Sequence, residues 1–169
     1  MSPTLSLYTH ATLPFSVHNS SLDTKTGNLI IRLLTSPRGT LEELNLRGNK
    51  LCDDGVISIA SVFTYDLSST LQKGISISLM TLIELDLSQN QLSDAAVLAL
   101  CKGLLTFAKH TCKENKQTNL KVLRLDRNHL GDNAALCLAT LLQSSHHTAV
   151  EASRGTATFS LKELSINDK

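Results

Sequence analysis

Leu41-Glu-Glu-Leu-Asn-Leu-Arg-Gly-Asn-Lys-Leu51 carries apolar residues at its first, fourth, sixth and eleventh positions and an asparagine at its ninth. The same spelling returns at Leu82–Leu92 (LIELDLSQNQL) and at Leu120–Leu130 (LKVLRLDRNHL), and it begins again at Leu161 (LKELSINDK). Side chains two apart point to the same face of a strand. Leu44 and Leu46, Leu85 and Leu87, Leu123 and Leu125, and Leu164 and Ile166 therefore each give one short strand an apolar face. A single strand cannot bury that face alone. Stacking the copies as neighbouring parallel strands buries all of them in one continuous core.

A helix is expected after each copy. Asp53, Asp94 and Asp132 stand four residues past the asparagines, and aspartate is a preferred N-cap because its carboxylate accepts free amide hydrogens of the first turn. Capping explains the three together and leaves no reason to read them as metal ligands. Beyond the caps, apolar residues recur at helical spacing: Val56, Ile59, Ala60 and Phe63 match Val97, Leu100, Cys101 and Leu104, and Ala135, Leu138, Ala139 and Leu142. The small column Ala60, Cys101, Ala139 lets layers approach closely, so Cys101 reads as a small core hydrophobe.

The spacing is the leucine-rich repeat pattern L-x-x-L-x-L-x-x-N-x-L. With a full helix after each strand, it resembles the ribonuclease-inhibitor-like subfamily, as found in nucleotide-binding innate-immune receptors and Ran GTPase-activating proteins. The resemblance covers residues 41–169 and is poor over 1–40. It implies an α/β horseshoe segment, with short parallel strands on the concave face and helices on the convex face. It also implies that Asn49, Asn90 and Asn128 turn inward and hydrogen-bond the backbone of adjacent turns.

Bulk composition narrows the function. The chain has 169 residues, 41% of them apolar but only 4% aromatic, with no Trp, which suits an aliphatic repeat core and argues against base-stacking platforms. Sixteen basic and fifteen acidic residues nearly cancel, so no overall field attracts nucleic acid or an anionic membrane. The first fifteen residues lack a basic start and a solid apolar run, and no run of 18 apolar residues exists, so neither a signal peptide nor a membrane span is expected. Cys52, Cys101, Cys112 and Cys137 form no C-x-x-C pair. Reduced thiols in the cytoplasm, or the nucleus, are the simplest reading.

Residues 1–40 read as a degenerate N-terminal repeat or a partly disordered leader. For the repeat, Leu5-Ser-Leu7 supplies an L-x-L pair with His10 in the asparagine's place, and a helix is expected near 24–35. From Leu7 to Leu46, Leu87, Leu125 and Ile166 the steps are 39, 41, 38 and 41 residues. For the leader, Pro14 and Asn19-Ser20-Ser21 favour irregular chain over 9–22. The domain proper spans 41–169, with repeats at 41–81, 82–119 and 120–160 and a partial one at 161–169. Its helices are expected near 53–64, 94–109 and 132–144. A turn of this kind usually takes about 20–29 residues. The excess falls between each helix and the next strand, where it forms either tolerated loops or a second recognition rim. The last motif stops at Lys169, where the fourth asparagine would stand. A truncated or spliced product, a fragment of a longer chain, and a strand edge that associates with another chain all account for that stop.

No phosphate-binding glycine loop and no nucleophile or zinc motif is spelled out. His110, Cys112, His146 and His147 match no ligand spacing, and no cofactor or metal is expected. What remains is surface. Between the inward leucines, the third, fifth, seventh and eighth positions face out: Glu43, Glu84, Val122, Glu163; Asn45, Asp86, Arg124, Ser165; Arg47, Ser88, Asp126, Asn167; Gly48, Gln89, Arg127, Asp168. Glu43, Asn45, Arg47, Glu84, Asp86, Arg124, Asp126 and Arg127 are the candidate partner contacts, the arginines as anchors. The expected function is a non-catalytic protein-binding module with a protein partner. Regulation of a small GTPase, as in Ran GTPase-activating proteins, is the alternative that the resemblance offers.

Overall fold

A computed structural model of the chain describes residues 13–20, 22–23, 27–34, 41–64, 81–113, 118–145 and 161–167. Five strands, β1 (Leu13–Ser16), β2 (Leu41–Asn45), β3 (Glu84–Asp86), β4 (Val122–Arg124) and β5 (Glu163–Ser165), form one parallel sheet in chain order. The helices α1 (Gly27–Leu34), α2 (Cys52–Phe63), α3 (Asp94–Lys113) and α4 (Asp132–Ser145) connect them and pack as a row, each against the next. α3 runs four residues beyond its expected end, because nothing from Leu104 to Lys113 breaks a helix.

The register follows the leucines. Leu44, Leu85, Leu123 and Leu164 are Cα partners across β2 to β5. Leu44, Leu46, Leu85, Leu87, Leu123 and Leu125 are all fully or almost fully buried. Leu51 and Leu92 and the helix columns Ile59, Leu100 and Leu138 complete the layers behind them. Burial fades at both ends of the row. Phe15 and Val17 are half-buried, and Ala135 and Ala139 are exposed although their counterparts Val56, Val97, Ala60 and Cys101 are not. Among the described residues no helix lies on the outer side of α4.

The first turn corrects the sequence reading. Its strand is Leu13–Ser16, not the Leu5–Leu7 pair, which lies outside the described residues. Phe15 pairs with Leu44. The amides of Val17 and Asn19 donate to Asn45 and Arg47 as those of Leu46 and Gly48 do to Asp86 and Ser88. Val17 therefore stands in the column of Leu46, a step of 29 residues, within the ordinary repeat length. The matching step of 39 was a coincidence of leucines. Phe and Val fill the apolar places here, Ser20 replaces the asparagine, and Pro14 suits an edge strand. The inserts at 65–80, 114–117 and 146–160 lie outside the described residues, as do His146 and His147 and the side chains of His110 and Cys112.

The asparagines are buried and multiply bonded. Asn90 Nδ2 donates to the carbonyls of Leu46 (2.9 Å) in the preceding turn and Leu87 (3.1 Å) in its own. Asn128 donates likewise to Leu87 (3.1 Å) and Leu125 (2.9 Å), and Asn49 to Val17 (2.8 Å) and Leu46 (2.7 Å). Their Oδ1 atoms accept amides of the preceding turn: Asn49 from Ser20 and Leu22, Asn128 from Asn90 and Leu92, each at 2.9–3.1 Å, and Asn90 from Leu51 at 3.4 Å. Each side chain thus satisfies buried backbone groups on two turns.

Asp53 and Asp94 do a different job from the expected capping. The residue before α2 is Leu51, and no side chain caps that helix. The Asp53 carboxylate instead accepts Ser93 N–H (2.7 Å) and Ser93 O–H (2.5 Å), while Ser93 Oγ accepts Ala95 N–H and is itself the cap of α3. Asp94 Oδ1 accepts Gly131 N–H at 2.6 Å in the following turn. A carboxylate at the start of one helix therefore fixes the chain entering the next. Spacing along one turn cannot show this, because the partner lies a whole repeat away.

Helix packing has one tight point. A Cβ on Gly103 would lie 2.7 Å from the Ala60 carbonyl oxygen and 3.2 Å from Phe63 Cβ. Beside it Phe63 and Phe107 meet edge to face, centroids 5.9 Å apart.

Three stability predictions follow from these contacts. Asn90→Ala should lower unfolding free energy in a urea titration by about 1–3 kcal/mol, by stranding buried carbonyls; an unchanged midpoint would contradict the ladder. Asp53→Ala should lower it by about 1–2 kcal/mol while Asp53→Asn, which keeps an acceptor, retains part of the loss; equal effects would mean that Ser93 is not the partner that matters. Gly103→Ala should destabilise by about 1–3 kcal/mol despite alanine's better helix propensity, because backbone must move; a gain would show that α2 and α3 separate freely.

Candidate functional site

The outward side chains of the five strands form the one surface that all turns share. Their exposure is uneven. Glu43, Arg47, Arg127, Glu163 and Asn167 are exposed, Asn45, Glu84, Val122, Arg124, Asp126 and Ser165 are half-buried, and Asp86 and Ser88 on the middle strand and its turn are buried. Asp86, expected as a partner contact, is only 4% exposed. Its carboxylate turns onto the Ser88 amide (2.9 Å), as Asn45 Oδ1 turns onto that of Arg47 (3.0 Å). An Asx side chain two residues ahead of an amide closes this local turn readily. The fifth position therefore stabilises the strand end before it offers anything to a partner.

Arg124 is also engaged. Its Nε donates to Glu84 (3.1 Å) on β3 and its Nη1 to Glu163 (2.5 Å) on β5. The expected acidic stripe is thereby interrupted by a cation bonded to both sides. The hydrogen bond to Glu84 is the chief reason that the Arg124 guanidinium is held even above its ordinary value. These pairs are a third to a half exposed, so they set side-chain geometry more than stability.

Asp126 is the centre of a second network. Burial pushes its carboxyl up. The Ser165 hydroxyl (2.7 Å), the Asn167 amide (2.6 Å) and the charges of Arg47 and Arg124 outweigh that and hold it below its usual value. A depressed carboxylate stabilises the folded chain above the ordinary carboxylate range, and the contribution is lost as pH falls through that depressed value. Around Asp126 lies a cleft of about 210 Å³ lined by Arg47, Asp126, Arg127, Ser165 and Asn167. Of the candidate contacts, Arg47, Asp126 and Arg127 are brought together here. Glu43 stands apart on β2, next to Glu84 in register.

The eighth column has a backbone property that the sequence barely shows. Asn19, Gly48, Gln89 and Arg127 all have positive φ, from 50° to 69°. The left-handed residue turns the chain so that the ninth residue enters the core. Glycine and asparagine adopt it easily, Gln89 and Arg127 do not. Only Gly48 and Asn19 give a signal in the sequence. Arg127 thus enters the cleft from a backbone held in one conformation by its neighbours, its amide bonded to the Asn167 carbonyl at 2.8 Å.

The opposite, helix side carries a row of exposed apolar residues at equivalent positions, Ile57, Leu98 and Leu136. Each lies four residues past its aspartate, so the sequence spacing itself marks this row.

Comparison with curated protein sequences returns no match. A family profile described as Leucine Rich repeat matches residues 40–60, 78–101 and 116–139. Each match begins one to six residues before a strand of the sheet and ends within the helix that follows it. With the parallel strands in register, the inward leucines and the helix row, these matches identify the chain as a leucine-rich repeat protein.

Proposed function

We propose that the chain is a non-catalytic module that binds a protein partner across its strand face, which is the concave side in this architecture. Leucine-rich repeats are in general interaction modules, and this supports the reading at the level of fold. The observation that carries it further is the cleft between Arg47, Asp126 and Arg127. It brings together charges of both signs from different turns, Arg47 and Arg127 exposed and Asp126 half-buried, with the Asp126 carboxylate oriented by hydrogen bonds from Ser165 and Asn167. A surface of this kind selects a partner by charge pattern. Asp86 drops out of the contact set, and Arg124 and Glu84 act through their mutual pair. Glu43, Arg47 and Arg127 are the side chains positioned to meet the partner directly.

The full helix in each turn, 12 residues in α2, 20 in α3 and 14 in α4, supports the ribonuclease-inhibitor-like type of repeat. No arrangement among the described residues favours a small GTPase over any other protein partner. The outer side of β5 has no neighbouring strand among the described residues and is the place where edge-to-edge association would occur.

The reading is tested by capture from native extract with wild type, a Glu43→Arg, Arg47→Glu double variant, and Leu98→Lys on the helix row. A protein retained by wild type and by Leu98→Lys but at least tenfold depleted by the double variant is the expected result. Loss with Leu98→Lys alone would move the partner to the helix face. Equal capture by all three would place it at neither face and overturn the reading.

A further inference from the structure

The cleft at the strand ends has an unequal charge count. Arg47 follows β2, Asp126 and Arg127 follow β4, and Ser165 and Asn167 come from β5 and the residues after it. Two guanidinium groups therefore line it against one carboxylate, an excess of one positive charge. Both arginines are exposed, while Asp126 is half-buried. The Asp126 carboxylate is turned to its own sheet: one oxygen, Oδ1, accepts both the Ser165 hydroxyl (2.7 Å) and the Asn167 amide (2.6 Å). Carboxylates elsewhere on the face are bonded to other groups. Glu84 and Glu163 hold Arg124, and Asp86 accepts the Ser88 amide. The excess charge of the cleft is not balanced by these three.

We propose that this cleft takes the side-chain carboxylate of an aspartate or glutamate on the partner, held between Arg47 and Arg127. The inference rests on the strand face being the binding side and adds the chemistry of one contact on it. Size supports a single side chain. The cleft holds about 210 Å³, less than the ~300–1,000 Å³ of sites that enclose a whole small molecule. Charge selects the class. One excess positive charge matches one carboxylate, whereas a phosphate dianion would bring its second charge against Asp126. Donor geometry favours the same pairing, because a guanidinium presents its N–H groups in a planar fork that fits two carboxylate oxygens. Arg127 offers that fork from a fixed backbone, with φ at 53° and its amide bonded to the Asn167 carbonyl at 2.8 Å. Asp126 discriminates: it weakens the binding of every anion, and most that of multiply charged ones.

The experiment titrates the full, isotope-labelled chain with acetyl-tetraglutamate amide and follows it by two-dimensional NMR. Tetraglutamine and tetralysine peptides with the same end groups are the controls, all at matched ionic strength. The expected result is a saturable shift of the Arg47 and Arg127 Nε–H signals and of the Ser165 and Asn167 amides with tetraglutamate alone. Arg47→Gln and Arg127→Gln, the latter copying Gln89 at the same left-handed place, should each raise Kd by about threefold or more. Asp126→Asn keeps an acceptor for Ser165 and Asn167 but removes the charge, so it should lower Kd by about threefold or more. Circular dichroism shows that the variants are folded. Equal shifts with tetraglutamine, binding of tetralysine instead, or a Kd unmoved by all three variants would each overturn the proposal. Tetraglutamate bound in the cleft, with no strand-face partner captured from extract, would support the site and overturn the wider reading. A strand-face partner captured from extract, with no tetraglutamate bound, would overturn this inference alone.

Discussion

A parallel strand as short as three residues cannot hold a fold by its ladder alone. Here β3, β4 and β5 are each that short, and the chain leaves β3 and β4 through a tight left-handed turn at Gln89 and Arg127. The turn buries backbone carbonyls and amides that no strand can reach. The asparagine amide supplies two donor hydrogens and an acceptor in the right place, and so removes a desolvation penalty of about 1–3 kcal/mol for each group otherwise stranded. Because each asparagine reaches back to the preceding turn, the bond that closes one turn also fixes its distance from the next. The leucine layers, the strand register and the helix row all depend on that distance. Asp53 and Asp94 repeat the device on the helix side, reaching forward by one turn. The solenoid is thus held along its axis by polar side chains at two depths, with an apolar core between them.

Recurrence makes such a structure readable. The leucine and asparagine columns are visible because each is spelled three or four times, and their physical reason is the same each time. Reading failed where recurrence was weak or where the partner lay one turn away. In the first turn Phe15, Val17, Leu22 and Ser20 hold the places of three leucines and an asparagine, so Leu5 and Leu7 match the pattern better by spelling alone. In the aspartate column, spacing along one turn points to a cap, whereas the partners of Asp53 and Asp94, Ser93 and Gly131, lie in the following repeat. On the strand face the outward positions were legible, but not their exposure. Which of them pair with each other depends on neighbours about 5 Å away across the sheet, a distance that sequence order hides.

That pairing changes what the surface can do. Eight candidate contacts shrink to a few once Asp86 bonds its own turn and Arg124 joins Glu84 to Glu163. The paired residues are not idle. Glu84, Arg124 and Glu163 fix one another, so that these side chains need not be ordered first when a partner meets the face beside them, which is where much of the loss in binding usually arises. The middle strand, with its buried Asp86 and Ser88, acts as the floor, and the charges available for recognition stand on either side of it.

The helix layer obeys a different rule from the strand layer. In the inner turns the strand columns hold a particular residue type, since leucine fills a set volume and asparagine makes set bonds. Helix columns demand size only: Val56, Val97 and Ala135 are interchangeable, as are Ala60, Cys101 and Ala139. Residues in such columns are free to take on a second property as long as they stay small. Cys101, in the place that Ala60 and Ala139 hold in their turns, is one use of that freedom. Gly103 marks its limit, since the backbone of α2 lies so near that even a methyl group has no room. Between these two extremes the helix row can acquire chemistry without disturbing the sheet, whose geometry the asparagines have already set.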